Sequence, residues 1–265
     1  MIRMPIMAAL TAAALACAPG PTGSASSPEK VFVALAHPDD ETLFGPALAR
    51  LAREGADIRI VYVADGRYGV RAHAGLEGET LIAARQEEAR CAARAHGAGE
   101  PVFLGFSDQL VGRGHIREQF AVLNAARAAI AAEIERFSPD IVITFSPGGD
   151  TGHTDHRLVG DLTTEIILSQ ASDRPRLFQA GWAKSASALY EQAGVIASAF
   201  PDAAFDVAFA HTAEDEAAAA EALRCYASQF TPEEIEGFIA LEAADPSDSR
   251  WFREVRLKTT PRARF

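Results

Sequence analysis

The chain has 265 residues, 48% hydrophobic and 23% charged, an ordinary globular composition with enough apolar residues for one large core or two small ones. Its formal charge of −11 excludes a general nucleic-acid binder, which needs a basic face, although a bound cation can still create a local positive pocket. No long polar linker divides the apolar runs, so a single domain over residues 29–265 is expected.

Residues 1–28 read as a signal peptide and tether. Met1 to Met7 holds one Arg and no acid, Ala8 to Ala16 is an Ala/Leu run too short for a comfortable membrane span, and Pro19 to Pro28 is rich in Pro, Gly and Ser. Leu15-Ala16-Cys17 resembles a bacterial lipoprotein processing site, with Ala14 where that pattern usually has Leu. Two outcomes stay open, an N-terminal lipid on Cys17 as the only membrane anchor or plain secretion. Both imply export, to the periplasm, the membrane surface or the medium. Cys91 and Cys225 are expected in helices as small core residues, and a single bridge between them stays open in an oxidising compartment.

Val31 to Ala36 (VFVALA) is short, continuous and apolar, as a strand covered on both faces should be. Pro38 ends it. Thr42 to Glu54 reads as a helix stopped by Gly55, and Ile58 to Ala64 as a second strand. Strand, loop, helix, strand is the unit of a parallel α/β sheet. Asp65 to Glu77 is irregular and Gly-rich. Glu79 to His96 reads as a helix, Val102 to Leu104 as a strand, and Ile116 to Phe137 as a long amphipathic helix. Asp140 to Phe145 is the fourth strand, Ser146 to His156 a turn-rich loop, and Arg157 to Ser169 a helix. Later elements are weaker: strands at Leu177 to Ala186 and Phe205 to Phe209, helices at Glu214 to Gln229 and Pro232 to Leu241, the latter capped by Thr231, and a final strand at Trp251 to Leu257, expected at an edge.

Two clusters of metal-ligating residues each follow an expected strand. His37, Asp39, Asp40 and Glu41 follow the first, and His153, Asp155 and His156 follow the fourth. Open α/β sheets collect ligands at the carboxyl ends of their strands. Two imidazoles and a carboxylate suit a catalytic zinc that keeps a position open for water. The residues alone therefore make His37, Asp39, Asp40 and His156 a divalent-metal cluster, for zinc or another divalent ion. Each also has a plain structural use: His-Pro-Asp is common turn chemistry, and Asp40 or Glu41 favours a helix start. The first loop carries acids where a nucleotide-binding fold wants glycines.

AHPDDE at Ala36 to Glu41, with GHTDH at Gly152 to His156, resembles the LmbE/PIG-L family of zinc-dependent deacetylases. Arg85, Glu88 and Ala92 match that family's second helix, Leu104-Gly105 with Asp108 the following strand and loop, and Glu221-Ala222-Leu223 to Ser228-Gln229 its late helix. The likeness spans about Lys30 to Gln229. It implies a Rossmann-like three-layer α/β sandwich with a mostly parallel central sheet. It implies metal ligation by His37, Asp40 and His156, with Asp39 as general base and His153 as the oxyanion partner, as an imidazolium in one form of the reading. Asp155 would orient an imidazole, and Glu41 would orient its neighbours or close the loop. The implied activity is removal of an N-acyl, typically N-acetyl, group from an amino-sugar-like small molecule or glycoconjugate. Ala64-Asp65-Gly66, Pro147-Gly148-Gly149-Asp150 and Tyr226 depart from the family pattern, and all could line a pocket with Arg67, Tyr68 and His211. Two other functions stay open: a metal-dependent amidase on a non-sugar amide, and a non-catalytic exported domain that binds a metal or ligand. Retention of Asp39 speaks against the second, since binding needs no base.

Overall fold

The computed structural model describes residues 28–69, 75–112, 114–170, 174–195 and 198–257. The expected signal peptide, tether and Cys17 lie outside these residues. The order of elements is β1 (Lys30–Leu35), α1 (Gly45–Arg53), β2 (Asp57–Ala64), α2 (Gly78–His96), β3 (Val102–Phe106), α3 (Ile116–Phe137), β4 (Ile141–Phe145), α4 (Thr154–Leu168), β5 (Arg176–Ala183), α5 (Lys184–Gln192), β6 (Ala199–Phe200), β7 (Val207–Ala210), α6 (Ala213–Arg224), α7 (Pro232–Ala244) and β8 (Ser249–Glu254). A 3-10 turn at Asp40–Phe44 precedes α1.

The sheet runs β3-β2-β1-β4-β5-β8-β7, with β6 paired to the end of β5. Every pairing from β3 to β5 is parallel, and β8 is antiparallel to both β5 and β7. Val31 pairs with Ile58 on one side and Ile141 on the other. Val31 to Leu35 and the whole of β4 are buried, which explains their unbroken apolar runs. Helices α1, α2 and α6 pack together as one layer and α3 and α4 as the other, giving the expected three-layer sandwich. Burying each large aliphatic side chain of this core stabilises the fold by about 1.5–3 kcal/mol.

Helix ends follow local chemistry. Gly97, at φ 77°, closes α2 by donating its amide to Ala93 and Arg94 carbonyls. Thr231 caps α7 as expected: its hydroxyl accepts the Glu234 amide at 3.1 Å, while the Glu234 carboxylate accepts the Thr231 amide at 2.9 Å.

The late elements differ from expectation. Strand β8 is internal, and β7 takes the edge. The alternation in β8 reports the two faces of the sheet, not whether both of its sides are paired. The end of the strand expected at Leu177 to Ala186 is instead the start of helix α5, held by burial of Ala186 and Tyr190. Helix α6 ends at Arg224, so Ser228 and Gln229 follow it rather than close it. Cys91 and Cys225 are only half-buried and form a disulfide between α2 and the end of α6, not two separate core residues.

Candidate metal centre and active site

From β1 the chain builds outward through β2 to β3, then returns to place β4 on the other side of β1 and continue to β5. The reversal leaves a crevice at the carboxyl ends of β1 and β4, where ligands collect in open α/β sheets. Both expected clusters enter it.

The turn after β1 is shaped by Asp40. Its Oδ2 accepts the backbone amides of His37 at 2.7 Å and Ala36 at 3.0 Å. Asp39 stands at φ 106°, in the left-handed region, where a non-glycine residue costs on the order of 1–3 kcal/mol. The cost is offset by surrounding bonds. The Thr42 amide and hydroxyl both donate to the Asp39 carbonyl, at 3.1 and 2.7 Å, and Arg85 Nη2 lies 3.1 Å from Asp39 Oδ2. The buried Arg85 guanidinium also donates to the Pro38 and Gly66 carbonyls. Glu41 is fully buried and accepts hydrogen bonds from the Tyr62 hydroxyl at 2.7 Å and from Tyr226. It closes the loop against β2 and the segment after α6, and touches neither imidazole. Tyr226 is correspondingly buried, with its hydroxyl committed to Glu41.

The second motif opens α4 one turn earlier than expected. His153 is its N-cap, with Nδ1 accepting the Asp155 amide at 3.2 Å, so His156 lies in the first helical turn. An imidazole is outside the usual Ser/Thr/Asn/Asp cap signature, which hid this helix start. His156 Nδ1 faces the Gly149 carbonyl at 3.1 Å, and its ring stacks on Phe145, with centroids 4.5 Å apart.

The two imidazoles meet with their lone pairs. A carbonyl only accepts, so His156 Nδ1 carries hydrogen and Nε2 is left free. His37 Nε2 faces carboxylates, Asp108 Oδ1 at 3.1 Å and Asp155 Oδ2 at 3.5 Å, so it carries hydrogen and Nδ1 is left free. Those two nitrogens are 3.3 Å apart. Asp40 Oδ1 lies 3.0 Å from His156 Nε2, and Asp40 Oδ2 3.8 Å from His37 Nδ1. Facing lone pairs beside a carboxylate repel unless a proton or cation lies among them, and two neutral imidazoles with one carboxylate are fitting donors for zinc or a similar divalent ion. Electrostatics agree. Burial opposes charge on His37, yet Asp108, Asp155 and Asp40 raise its pKa well above the usual imidazole value. Burial likewise opposes charge on His156, and Asp40 overcomes it. Asp40 is held far below the carboxylate range, despite burial, by the same two imidazoles.

Among the described residues, two groups of three have ligand atoms within 4.8 Å of one another, His37 with His153 and His156, and His37 with Asp108 and Asp155. The carboxylates of the latter are already engaged. Asp155 accepts the Gln109 and Leu110 amides at 2.9 and 3.1 Å, and Asp108 accepts those of Gln109 and Tyr68 at 2.8 and 3.2 Å. That group orients His37, a usual arrangement behind a metal-binding histidine.

Asp39 and His153 flank the cluster. The Asp39 side chain is 19% exposed against 5% for Asp40, so Asp39 is the acid open to a substrate. Burial pushes its pKa up to about 6, with Arg85 opposing. The His153 ring lies 5.0 Å from that of His37 and 4.9 Å from that of His156. Its pKa is lowered, by burial first and then by the charge of both neighbours. With Nδ1 accepting the Asp155 amide, Nε2 is the ring nitrogen left to face a substrate.

Tyr68 reaches the margin through its amide on Asp108, while Arg67 pairs with Asp65 at 2.6 Å. His211 is not brought to the cluster. It lies after β7, four strand positions from β1, beside Glu216 at 3.2 Å and Arg250 at 3.3 Å. A cavity of about 290 Å³ between α1, α2 and α6 is lined by Arg53, Arg94 and His96 and by none of the cluster residues. Two groups bearing on the site were given no role from sequence: Asp108, which orients His37, and Arg85, which pairs with Asp39. Position just past the end of β3 was the signal available for Asp108.

The fold is of the doubly wound α/β class and carries a cluster capable of coordinating a divalent ion. Residues 32–167, about half the chain, match the family described as PIG-L, GlcNAc-PI de-N-acetylase, and the chain belongs to that family. It is 32% identical over 163 residues to the 1D-myo-inositol 2-acetamido-2-deoxy-alpha-D-glucopyranoside deacetylase of Rhodococcus erythropolis, covering 56% of this chain and 55% of that one. The chain thus spans about half the length of the curated relatives it matches. The N,N'-diacetylchitobiose deacetylase of Pyrococcus horikoshii shares the fold with a TM-score of 0.63 at 19% identity, over 86% of this chain and 84% of that one. So does GalB, the 4-carboxy-2-hydroxymuconate hydratase of Pseudomonas putida, with a TM-score of 0.61 at 18% identity, over 89% and 100%. One fold carrying a deacetylase and a hydratase leaves the reaction to be argued from the site.

Proposed function

We propose that this protein is a divalent-metal-dependent hydrolase that removes an N-acyl group, typically acetyl, from an amino-sugar-like small molecule or glycoconjugate. The observation that carries the reading is the convergence of His37 Nδ1, His156 Nε2 and Asp40 with the more open Asp39 beside them. His37, Asp40 and His156 would hold the ion, zinc in the leading case, which when bound lowers the pKa of water and polarises a carbonyl. Asp39 takes a proton from the attacking water and returns it to the leaving nitrogen, since an amide departs poorly unless protonated. Its value of about 6 suits a group that gains and loses a proton near neutrality. His153 donates from Nε2 to the oxygen where negative charge grows. Asp108 and Asp155 fix the His37 tautomer, and Arg85 fixes the Asp39 carboxylate.

The amino-sugar assignment is supported by the activity named for the Rhodococcus relative. The test is acetate release by the zinc-loaded protein from a panel of N-acetylated amino sugars and non-sugar amides. Turnover that survives both His37→Ala and Asp39→Ala would end this reading, and turnover confined to non-sugar amides would favour an amidase. Export is part of the proposal: the Cys91–Cys225 disulfide suits an oxidising compartment.

A further inference from the structure

We propose that Asp150 and Trp182 form a subsite beside the metal cluster that seats an uncharged, hydroxylated ring and disfavours an anionic one. This deepens the hydrolase reading and rests on it for the placement of the substrate.

Asp150 stands at φ 57° in the Gly-rich loop between β4 and α4. The adjoining Gly149 carbonyl is the one that faces His156 Nδ1. Two anchors hold Asp150. Its carbonyl accepts the Ser198 amide at 2.6 Å, and its Oδ1 accepts the Trp182 indole N–H, also at 2.6 Å. Trp182 lies near the end of β5, where it pairs with Ala199 of β6. Its ring packs on Tyr190 with centroids 4.6 Å apart, and the Tyr190 hydroxyl donates to Glu242. The loop has little freedom to move away: a Cβ added at Gly148 would come within 2.8 Å of the Phe200 ring and 2.9 Å of Ser198.

The result is a fixed carboxylate next to a fixed, half-buried aromatic ring. Among the described residues its Oδ2 accepts no hydrogen bond, and Asp150 itself is half-buried. This pairing suits a sugar-like ring, whose C–H face can lie on an indole while a hydroxyl donates to the carboxylate. Burial pushes the Asp150 pKa up to about 6, and among the described residues no arginine or lysine forms an ion pair with it. Arg157, the nearest cation on the loop, donates from Nε to the Gly148 carbonyl at 3.3 Å. An anion seated here meets an unneutralised carboxylate, and like charges brought together cost affinity.

The chain has two tryptophans, Trp182 and Trp251, so Trp251→Phe leaves Trp182 as sole reporter. The zinc-loaded full chain carrying that change is titrated with N-acetylglucosamine and with its 6-phosphate, following emission and acetate release together. The neutral sugar is expected to change Trp182 emission saturably, and the phosphate to need about tenfold more. Asp150→Asn keeps an oxygen for the indole and removes the charge. It should raise half-saturation and KM for the neutral sugar about tenfold, the loss expected for one hydrogen bond to a charged acceptor. It should move kcat far less and narrow the gap between the two sugars. Emission that stays flat while the sugar is being hydrolysed overturns the subsite. So does an Asp150→Asn protein in which kcat falls equally for both sugars with KM unmoved, the mark of a residue that only holds the loop. Saturable binding without acetate release leaves the subsite standing and removes the hydrolase reading. Neither binding nor release removes the subsite, and hydrolysis of non-sugar amides is then read separately.

Discussion

Asp108 Oδ1 lies 3.1 Å from His37 Nε2, and that bond decides which nitrogen of the imidazole is left for a metal. Asp108→Ala removes the acceptor while His37, Asp40 and His156 remain. Zinc affinity, measured by competition with a chromogenic chelator, should fall about 10–100-fold, as when other carboxylates behind a metal-binding histidine are removed. Unchanged affinity in a folded variant would remove Asp108 from this role.

Arg85 makes a second prediction. Arg85→Met leaves the Asp39 carboxylate without its ion pair and two carbonyls without their donor. Urea unfolding should show a loss of about 3 kcal/mol. Adding Asp39→Ala should recover part of that loss, because the orphaned charge is gone. A double variant no more stable than Arg85→Met would show that the ion pair is not what the arginine supplies.

Much of this site was legible because its chemistry is local. His37, Asp39 and Asp40 lie within one turn, and His153, Asp155 and His156 within another, each after an apolar strand whose burial on both faces is written in its composition. What was not legible depends on long-range contacts. Asp108 is 71 residues from His37, so its match to the family's strand and loop marked its position but not the imidazole it faces. The start of α4 was hidden by a histidine cap. The placement of His211 turned on strand order beyond β5, where β8 inserts between β5 and β7. Hydrophobic alternation specifies faces and leaves neighbours unspecified, so a residue just past a strand could not be placed beside β1 or several strands away from it.

The Cys91–Cys225 bridge closes a separation of 134 residues. It ties α2 to the segment where Tyr226 supports Glu41 and Ser228 donates to Glu88. Removing the bridge with Cys91→Ser and Cys225→Ser should cost about 2–5 kcal/mol in urea unfolding. An unfolding midpoint indifferent to both substitutions and to reductant would show that the cross-link carries no stability.

His96 predicts an acid-side loss of stability away from the site. It is buried, neither ring nitrogen has a hydrogen-bond partner, and burial lowers its pKa to about 4. Between pH 4 and its unfolded value near 6.5 the unfolded chain binds the extra proton, so stability falls as pH falls through that window. Going from pH 7 to pH 5, this residue should account for about 2 kcal/mol of lost stability. His96→Leu should reduce the pH dependence of the urea midpoint by that amount. An unaltered dependence would place the loss on other groups.

His37, Asp40 and His156 are expected to hold the metal. A crystal soaked with zinc and measured on either side of the zinc absorption edge should show one anomalous peak among His37 Nδ1, His156 Nε2 and the Asp40 carboxylate, with Asp39 outside its coordination. A peak instead between His37 Nε2, Asp108 and Asp155 would contradict this assignment.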